Sequence, residues 1–423
     1  ERDDKSDTDT IVDMDTSQDD TNPDDSDAKQ KCAEYNIGAG VSDITGPLVE
    51  ASTGYNEPGK NMEGLAMRLH SRAFVVESGC NNQSVVIVVA EMIHMFQSIK
   101  LGVVKGLAAA GMADLYNERN VMVSATHTHA APSNYSWYTL YNTFNGVVGF
   151  DELHYNIVVD GIVDSIIEAH LSKKPGKIEI IRDELPDAAF NRSRGAYLEN
   201  IDAQSFEKDV DETMLLLKMT GLDGSEIGKV NWFAVHGTSL SMNNHLVHGD
   251  NKGIASYLFE KGHNSGFVAA FAQGAMGDIS PNLPDPSDIT LSFRRPSDLD
   301  ETLSEYDNPV VHGRIQYEKA VELYDRADEL LAGKVEFRHS YVDFNQVSKI
   351  DSIYVLPYVM PWDEDALGAR TGIGCVGGGF LAGDEDGAPV DFALEGEIRH
   401  RYEYQNGNWI KQRYSLTELD GLA

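Results

Sequence analysis

The sequence predicts an α/β chain in which strands and helices are interspersed through stacked layers. Four short apolar runs point to buried strands: Ser84–Ala90, Val121–Thr126, Lys229–Val235 and Phe267–Ala272. Amphipathic stretches lie between them. The clearest is 152–171, where Ile157, Val158, Ile162, Val163, Ile166 and Ile167 share one side of a helix. No internal repeat interrupts the alternation.

Residues 1–33 read as a disordered acidic tail, because residues 1–27 hold twelve acids against only Arg2 and Lys5. So few apolar groups cannot offset the entropy lost on ordering. One domain is expected over 34–423. It opens with a strand and turn within Asn36–Pro47, whose Gly38-x-Gly40 is not followed by a helix and so is no dinucleotide fingerprint. Strands over 72–77 and 84–90 precede a helix over 97–116. The strand over 121–126 ends in His127-Thr128-His129.

Pro175-Gly176 closes the helix at 152–171. Strands over 177–182 and 213–219 follow, separated by a polar loop that contains Asn191-Arg192-Ser193. The strand over 229–235 ends in His236 and leads through a polar loop to a helix near 251–262. A buried strand over 267–272 then delivers Gly277-Asp278-Ile279-Ser280-Pro281-Asn282. Residues 283–308 are loop-like, 310–332 helical, and the last ninety or so mixed, with a glycine cluster between Gly372 and Gly379.

The formal charge of -34 over 423 residues argues against nucleic acid, whose phosphates need a basic surface. It suits a soluble protein in salty or extracellular surroundings. No run approaches the roughly 20 apolar residues of a membrane span. Cys32, Cys80 and Cys375 have no CxxC spacing and allow at most one internal disulfide.

Three strand ends carry the chemistry. His127 and His129 are two apart, so on extended backbone both imidazoles face one pocket. His236 ends a different strand. Pro281 holds Ser280 extended. Ligands of α/β sheets gather beyond the strands' carboxyl ends, and imidazole is the commonest metal ligand. Spacing alone does not choose between a zinc hydrolase and a serine hydrolase, although neither Gly-x-Ser-x-Gly nor His-Glu-x-x-His is present. Asp278 is expected to shape its turn, Asp250 and Asn251 to cap the following helix, and His245 and His248 to be loop residues.

Six segments in order, Gly40–Pro47, Gly64–Phe74, Thr126–Pro132, Asn191–Ser193, Trp232–His236 and Gly277–Asn282, together resemble the neutral ceramidase family. The resemblance implies a layered α-β-β-α catalytic domain with mixed sheets. It also implies zinc-dependent hydrolysis of the N-acyl amide of ceramide, giving sphingosine and a fatty acid. His127 and His236 match the zinc ligands, Ser280 the nucleophile or an essential zinc-site residue, His129 a proton acceptor and donor, and Arg192 a pocket residue.

The substrate implied is ceramide or a related N-acyl sphingolipid, drawn from a membrane surface by an extracellular or periplasmic protein. Tyr135, Trp137, Tyr138 and Tyr141 are weighed equally as lining for a lipid groove and as ordinary loop packing. The family completes its zinc site with a Tyr and with a Glu in a Pro-Gly-Glu setting, and this sequence has no Pro-Gly-Glu. A C-terminal chain or domain is therefore expected to supply the rest. Where the family has an Asp, the match falls on Glu91 or Met92. The competing readings are a non-catalytic lipid-binding remnant and a hydrolase of another N-acyl lipid.

Overall fold

The computed structural model describes residues 34–341 except 49–51, 53, 56–60, 139–140, 143–148, 199–201 and 285–292, together with Cys32 and a hairpin of residues 401–405 and 408–412. The glycine cluster at 372–379 lies outside the described residues. Of the expected tail only Cys32 is described. It forms a disulfide with Cys80, and its carbonyl accepts the Gly333 N–H.

Eight strands carry the main sheet: β1 (Tyr35–Asp43), β2 (His70–Ser78), β3 (Ser84–Ala90), β4 (Val121–Ala125), β5 (Lys174–Glu184), β6 (Thr213–Gly221), β7 (Glu226–Phe233) and β8 (Val268–Gln273). Their order is β8-β7-β6-β5-β1-β2-β3-β4. The pairs at the two ends, β8 with β7 and β3 with β4, are parallel, and the middle of the sheet is antiparallel. Glu329–Leu330 adds a short edge to β5.

The sheet folds over on itself. Phe74, Val76 and Val89 of one half pack with Met219, Val230, Val268, Ala270 and Ala272 of the other. Gly228 permits the approach, because a Cβ there would lie 2.9 Å from the Phe74 ring and 2.4 Å from the Val268 carbonyl oxygen. The opposite faces of the strands feed two further cores. Ala73, Val75, Val86 and Val88 pack against α1 (Gln97–Ala109) and α2 (Glu152–Leu171). Met214, Leu216, Phe233, Ala269 and Phe271 pack against α3 (Asp250–Lys261) and α4 (Asn308–Arg326).

The α-β-β-α layering expected is thus present, its two β layers being halves of one curled sheet. The continuous apolar runs follow directly, since alternate residues of β3 and β8 enter different cores.

Gly38-x-Gly40 finds its reason in α2. A Cβ on Gly38 would meet the Ala169 carbonyl at 1.9 Å, and one on Gly40 the Ser165 carbonyl at 2.4 Å, so the helix lies directly on β1. Val158, Ile162 and Ile166 are buried there, each contributing roughly 1.5–3 kcal/mol. Asp151 caps the helix by accepting the His154 N–H. Pro175 and Gly176 begin β5 instead of closing α2, which ends at Leu171.

Candidate metal centre

β4 stops at Ala125, and the chain then turns toward the other half of the sheet. The Thr126 N–H bonds to the Ala90 carbonyl and the His127 N–H to the Met92 carbonyl. His127 has φ 62°, so the extended backbone expected through the HxH motif fails at its first member. That left-handed conformation costs roughly 1–3 kcal/mol and needs surroundings that hold it. The hold is twofold, since the ring Nδ1–H also donates to the Ile93 carbonyl at 2.7 Å. Behind Ile93, the buried Tyr135 hydroxyl accepts the His94 N–H and donates to the His94 carbonyl.

Thr128 forms a parallel bridge with Gly237, and the His129 N–H bonds to the Gly237 carbonyl. A Cβ on Gly237 would lie 2.5 Å from the His127 carbonyl oxygen, so only glycine allows this crossing. His236 follows β7. Its N–H bonds to the Ile279 carbonyl, and its Nδ1–H donates to the Met276 carbonyl at 2.7 Å.

The three rings converge. Centroids lie 4.6 Å apart for His127–His236, 4.8 Å for His127–His129 and 5.3 Å for His129–His236. One ring nitrogen from each lies within 4.8 Å of the others. Nδ1 of His127 and His236 is committed to a backbone carbonyl, which leaves each Nε2 with a lone pair. His129 is buried, and neither of its ring nitrogens has a hydrogen-bond partner among the described residues. Burial chiefly, and then neighbouring positive charge, keeps the cluster neutral: His127 is lowered to about 4, and His129 and His236 well below the usual imidazole range. Neutral imidazoles with inward lone pairs and an orphaned buried ring suit a divalent metal such as Zn²⁺.

Phe190–Asn191 pairs with Ile279–Ser280, which brings the Asn-Arg-Ser segment to this place. Arg192 donates from its backbone to the Asp278 carbonyl and from Nη2 to the Gly277 carbonyl and to His236 Nε2, the last at 3.0 Å. A guanidinium only donates, so His236 Nε2 is the acceptor, in agreement with the tautomer above. An ion at that nitrogen would compete with Arg192 for the lone pair.

Ser280 is buried next to Ile279, whose carbonyl holds the His236 backbone. Its Oγ accepts the Asn282 N–H at 2.9 Å, and Asn282 in turn donates from Nδ2 to the Thr238 carbonyl. The structure thus gathers His127, His129, His236 and Arg192, and ties Ser280 into the same strand ends.

Of the remaining residues, some keep the expected place and others do not. The Glu91 carboxylate pairs with the buried Arg72 and accepts the His70 N–H, so it braces strands and holds no histidine of the cluster. Of the two expected caps of α3, Asp250 accepts the Asn251 N–H of the first turn after Gly249, and Asn251 does not cap. Asp250 accepts the Ser239 and Leu240 N–H groups, and Asn251 donates to the His236 carbonyl, so both fix the loop beyond His236. The Asp278 carboxylate accepts from Asn191. His245 and His248 stay in the loop, His248 accepting the Asp250 N–H. Of the four aromatics after the HxH segment, Tyr135 is buried, and Trp137, Tyr138 and Tyr141 are exposed. A cleft of about 480 Å³ lies against Asn191, lined among others by Phe190, Tyr197, Phe206 and Phe293.

A family model described as neutral/alkaline non-lysosomal ceramidase, N-terminal, matches residues 35–412. The neutral ceramidase of Pseudomonas aeruginosa is 36% identical over 364 residues, covering 85% of this chain and 51% of that protein. Neutral ceramidase A of Dictyostelium discoideum is 32% identical, covering 86% and 53%. The crystal structure of the Pseudomonas aeruginosa enzyme superposes with a TM-score of 0.64 at 37% identity, over 71% of this chain and 46% of that one. The chain spans about half the length of the curated relatives it matches.

Proposed function

The chain belongs to the neutral/alkaline non-lysosomal ceramidase family, and from that premise we propose that it carries the catalytic half of a zinc-dependent hydrolase of the N-acyl amide bond of ceramide. The products are sphingosine and a fatty acid. The observation that carries the reading is the convergence of three neutral imidazoles from the two halves of the sheet, two buried and one half-buried, with both ring nitrogens of His129 unpartnered among the described residues.

Amide hydrolysis needs a polarised carbonyl, a nucleophile and an acid for the leaving amine. Bound zinc would supply Lewis-acid polarisation. His127 and His236 would hold it through Nε2, their rings oriented by the Ile93 and Met276 carbonyls. His129 has a free nitrogen to accept the nucleophile's proton and return it to the departing amine. Ser280 presents its hydroxyl from a fixed turn, oriented by the Asn282 N–H. Arg192, which a bound ion would release from His236 Nε2, brings a guanidinium beside the cluster, suited to the oxyanion that develops on the carbonyl.

The matched part is only about half of each relative, and the matching family model is an N-terminal one, which supports a C-terminal segment or chain that completes the metal's ligands. Among the described residues no helix is long and apolar enough to cross a membrane. The exposed Trp137, Tyr138 and Tyr141 suit contact with a lipid surface from which the substrate is drawn. The Cys32–Cys80 disulfide favours an oxidising, extracellular or periplasmic setting.

The test is zinc content and ceramide turnover measured together. His127→Ala and His236→Ala should each remove both. Ser280→Ala should abolish turnover, a loss of at least 100-fold, and leave zinc bound. Full turnover by Ser280→Ala would refute its role. Zinc uptake without hydrolysis of any N-acyl lipid would favour a binding function.

A further inference from the structure

His127 and His236 stand on opposite halves of the curled sheet, and one side chain spans them just before they leave it. Gln273 is the last residue of β8. Its Nε2 donates to the Thr126 carbonyl at 2.7 Å and to the Val235 carbonyl at 2.6 Å. Its Oε1 accepts the Val235 N–H at 3.3 Å. Thr126 and Val235 are the residues immediately before His127 and His236.

The partners fix which way the amide points. Turned over, its oxygen would face two carbonyl oxygens with no proton between them. As placed, both N–H bonds and an acceptor lone pair are used.

Among the described residues the backbone ladder makes no such link at this point. β4 pairs with β3, while β7 pairs with β6 and β8. Beyond the histidines the halves meet again through the Thr128–Gly237 bridge. Before them, the glutamine amide holds the Thr126 and Val235 peptides to a common point. Its own backbone is anchored in β8, in register with Phe233 of β7. The separation of the two imidazoles is therefore set on one side by a rung of backbone and on the other by a single amide.

We propose that Gln273 is a positioning residue for the metal centre, tuning its affinity by holding the two histidine-bearing strand ends at a fixed distance. The proposal rests on the reading of His127 and His236 as ligands. It touches neither metal nor substrate and acts through the two peptides.

The experiment is Zn²⁺ affinity by chelator competition on the whole chain, for wild type, Gln273→Met, Gln273→Glu and His127→Ala. Gln273→Met keeps the length and loses every polar contact, and Gln273→Glu sets a carboxylate against two carbonyls. Each should weaken zinc binding roughly 10- to 100-fold in the folded chain, the usual effect of losing a partner that orients ligands. A purely structural glutamine would lower the melting temperature and leave the affinity of the folded protein unchanged, and that result would overturn the proposal.

Should both variants fail to fold, the wild type decides. Through-hydrogen-bond couplings from the Gln273 side-chain amide to the Thr126 and Val235 carbonyl carbons are expected, and their absence overturns the clamp. A wild type that takes up no zinc, or a His127→Ala chain that binds it undiminished, would overturn the site reading itself.

Discussion

His154 and His312 are buried outside the three-histidine cluster, and burial lowers each to about 4, against the pull of Asp151 at His154 and helped by the positive charge of Arg295 at His312. An unfolded histidine titrates near 6.5, so between about 6.5 and 4 the unfolded chain binds more protons than the folded one. Stability is therefore held above pH 6.5 and lost as pH falls, by on the order of 1.4 kcal/mol per pH unit for each such histidine. Urea unfolding of the metal-free chain at pH 7, 6 and 5 should show this decline, and His312→Gln should make it shallower. At this scale the candidate site was largely legible. His127, His129, Arg192, His236 and Ser280 sit in recognisable motifs or at the ends of apolar runs. Gln273, Asn251 and Tyr135 were not legible, because a lone amide or phenol bears no mark of its role until the carbonyls it holds are placed. The left-handed turn at His127 escaped for the same reason: the Met92 and Ile93 carbonyls that impose it come from another strand's end.

Among the elements, α2 lies directly on β1, since helix backbone meets strand where Gly38 and Gly40 stand. Gly40→Ala should cost about 1–3 kcal/mol or more by overpacking, seen as a lower urea midpoint, whereas Ala at the unobstructed Gly277 position should cost far less. The strands and α2 could be read from apolar runs and helical spacing because their burial is strong. Two helices end sooner than their spacing predicts. α1 stops at Ala109 because Gly111 turns left-handed at φ 82°. α4 stops at Arg326 because Ala327 is extended and Glu329–Leu330 pairs with β5, an edge pairing that local helix preference cannot anticipate.

For the molecule as a whole, the curled sheet is what brings distant strand ends together. Composition and periodicity revealed layers, but strands buried on both faces do not disclose which strands face one another. The small residues Gly228, Ala270 and Ala272 that let the halves meet looked like ordinary apolar filler. One disulfide was allowed by three cysteines, and Cys32–Cys80 is the pair the fold brings together. The same curl places His127 and His236 on either side of one space, and the functional account stands on that. An anomalous-difference map at the zinc edge, from crystals of the zinc-loaded chain, tests it most directly. The account predicts a peak about 2.0–2.1 Å from Nε2 of both His127 and His236. A peak bound by neither, or by only one of them, would contradict it.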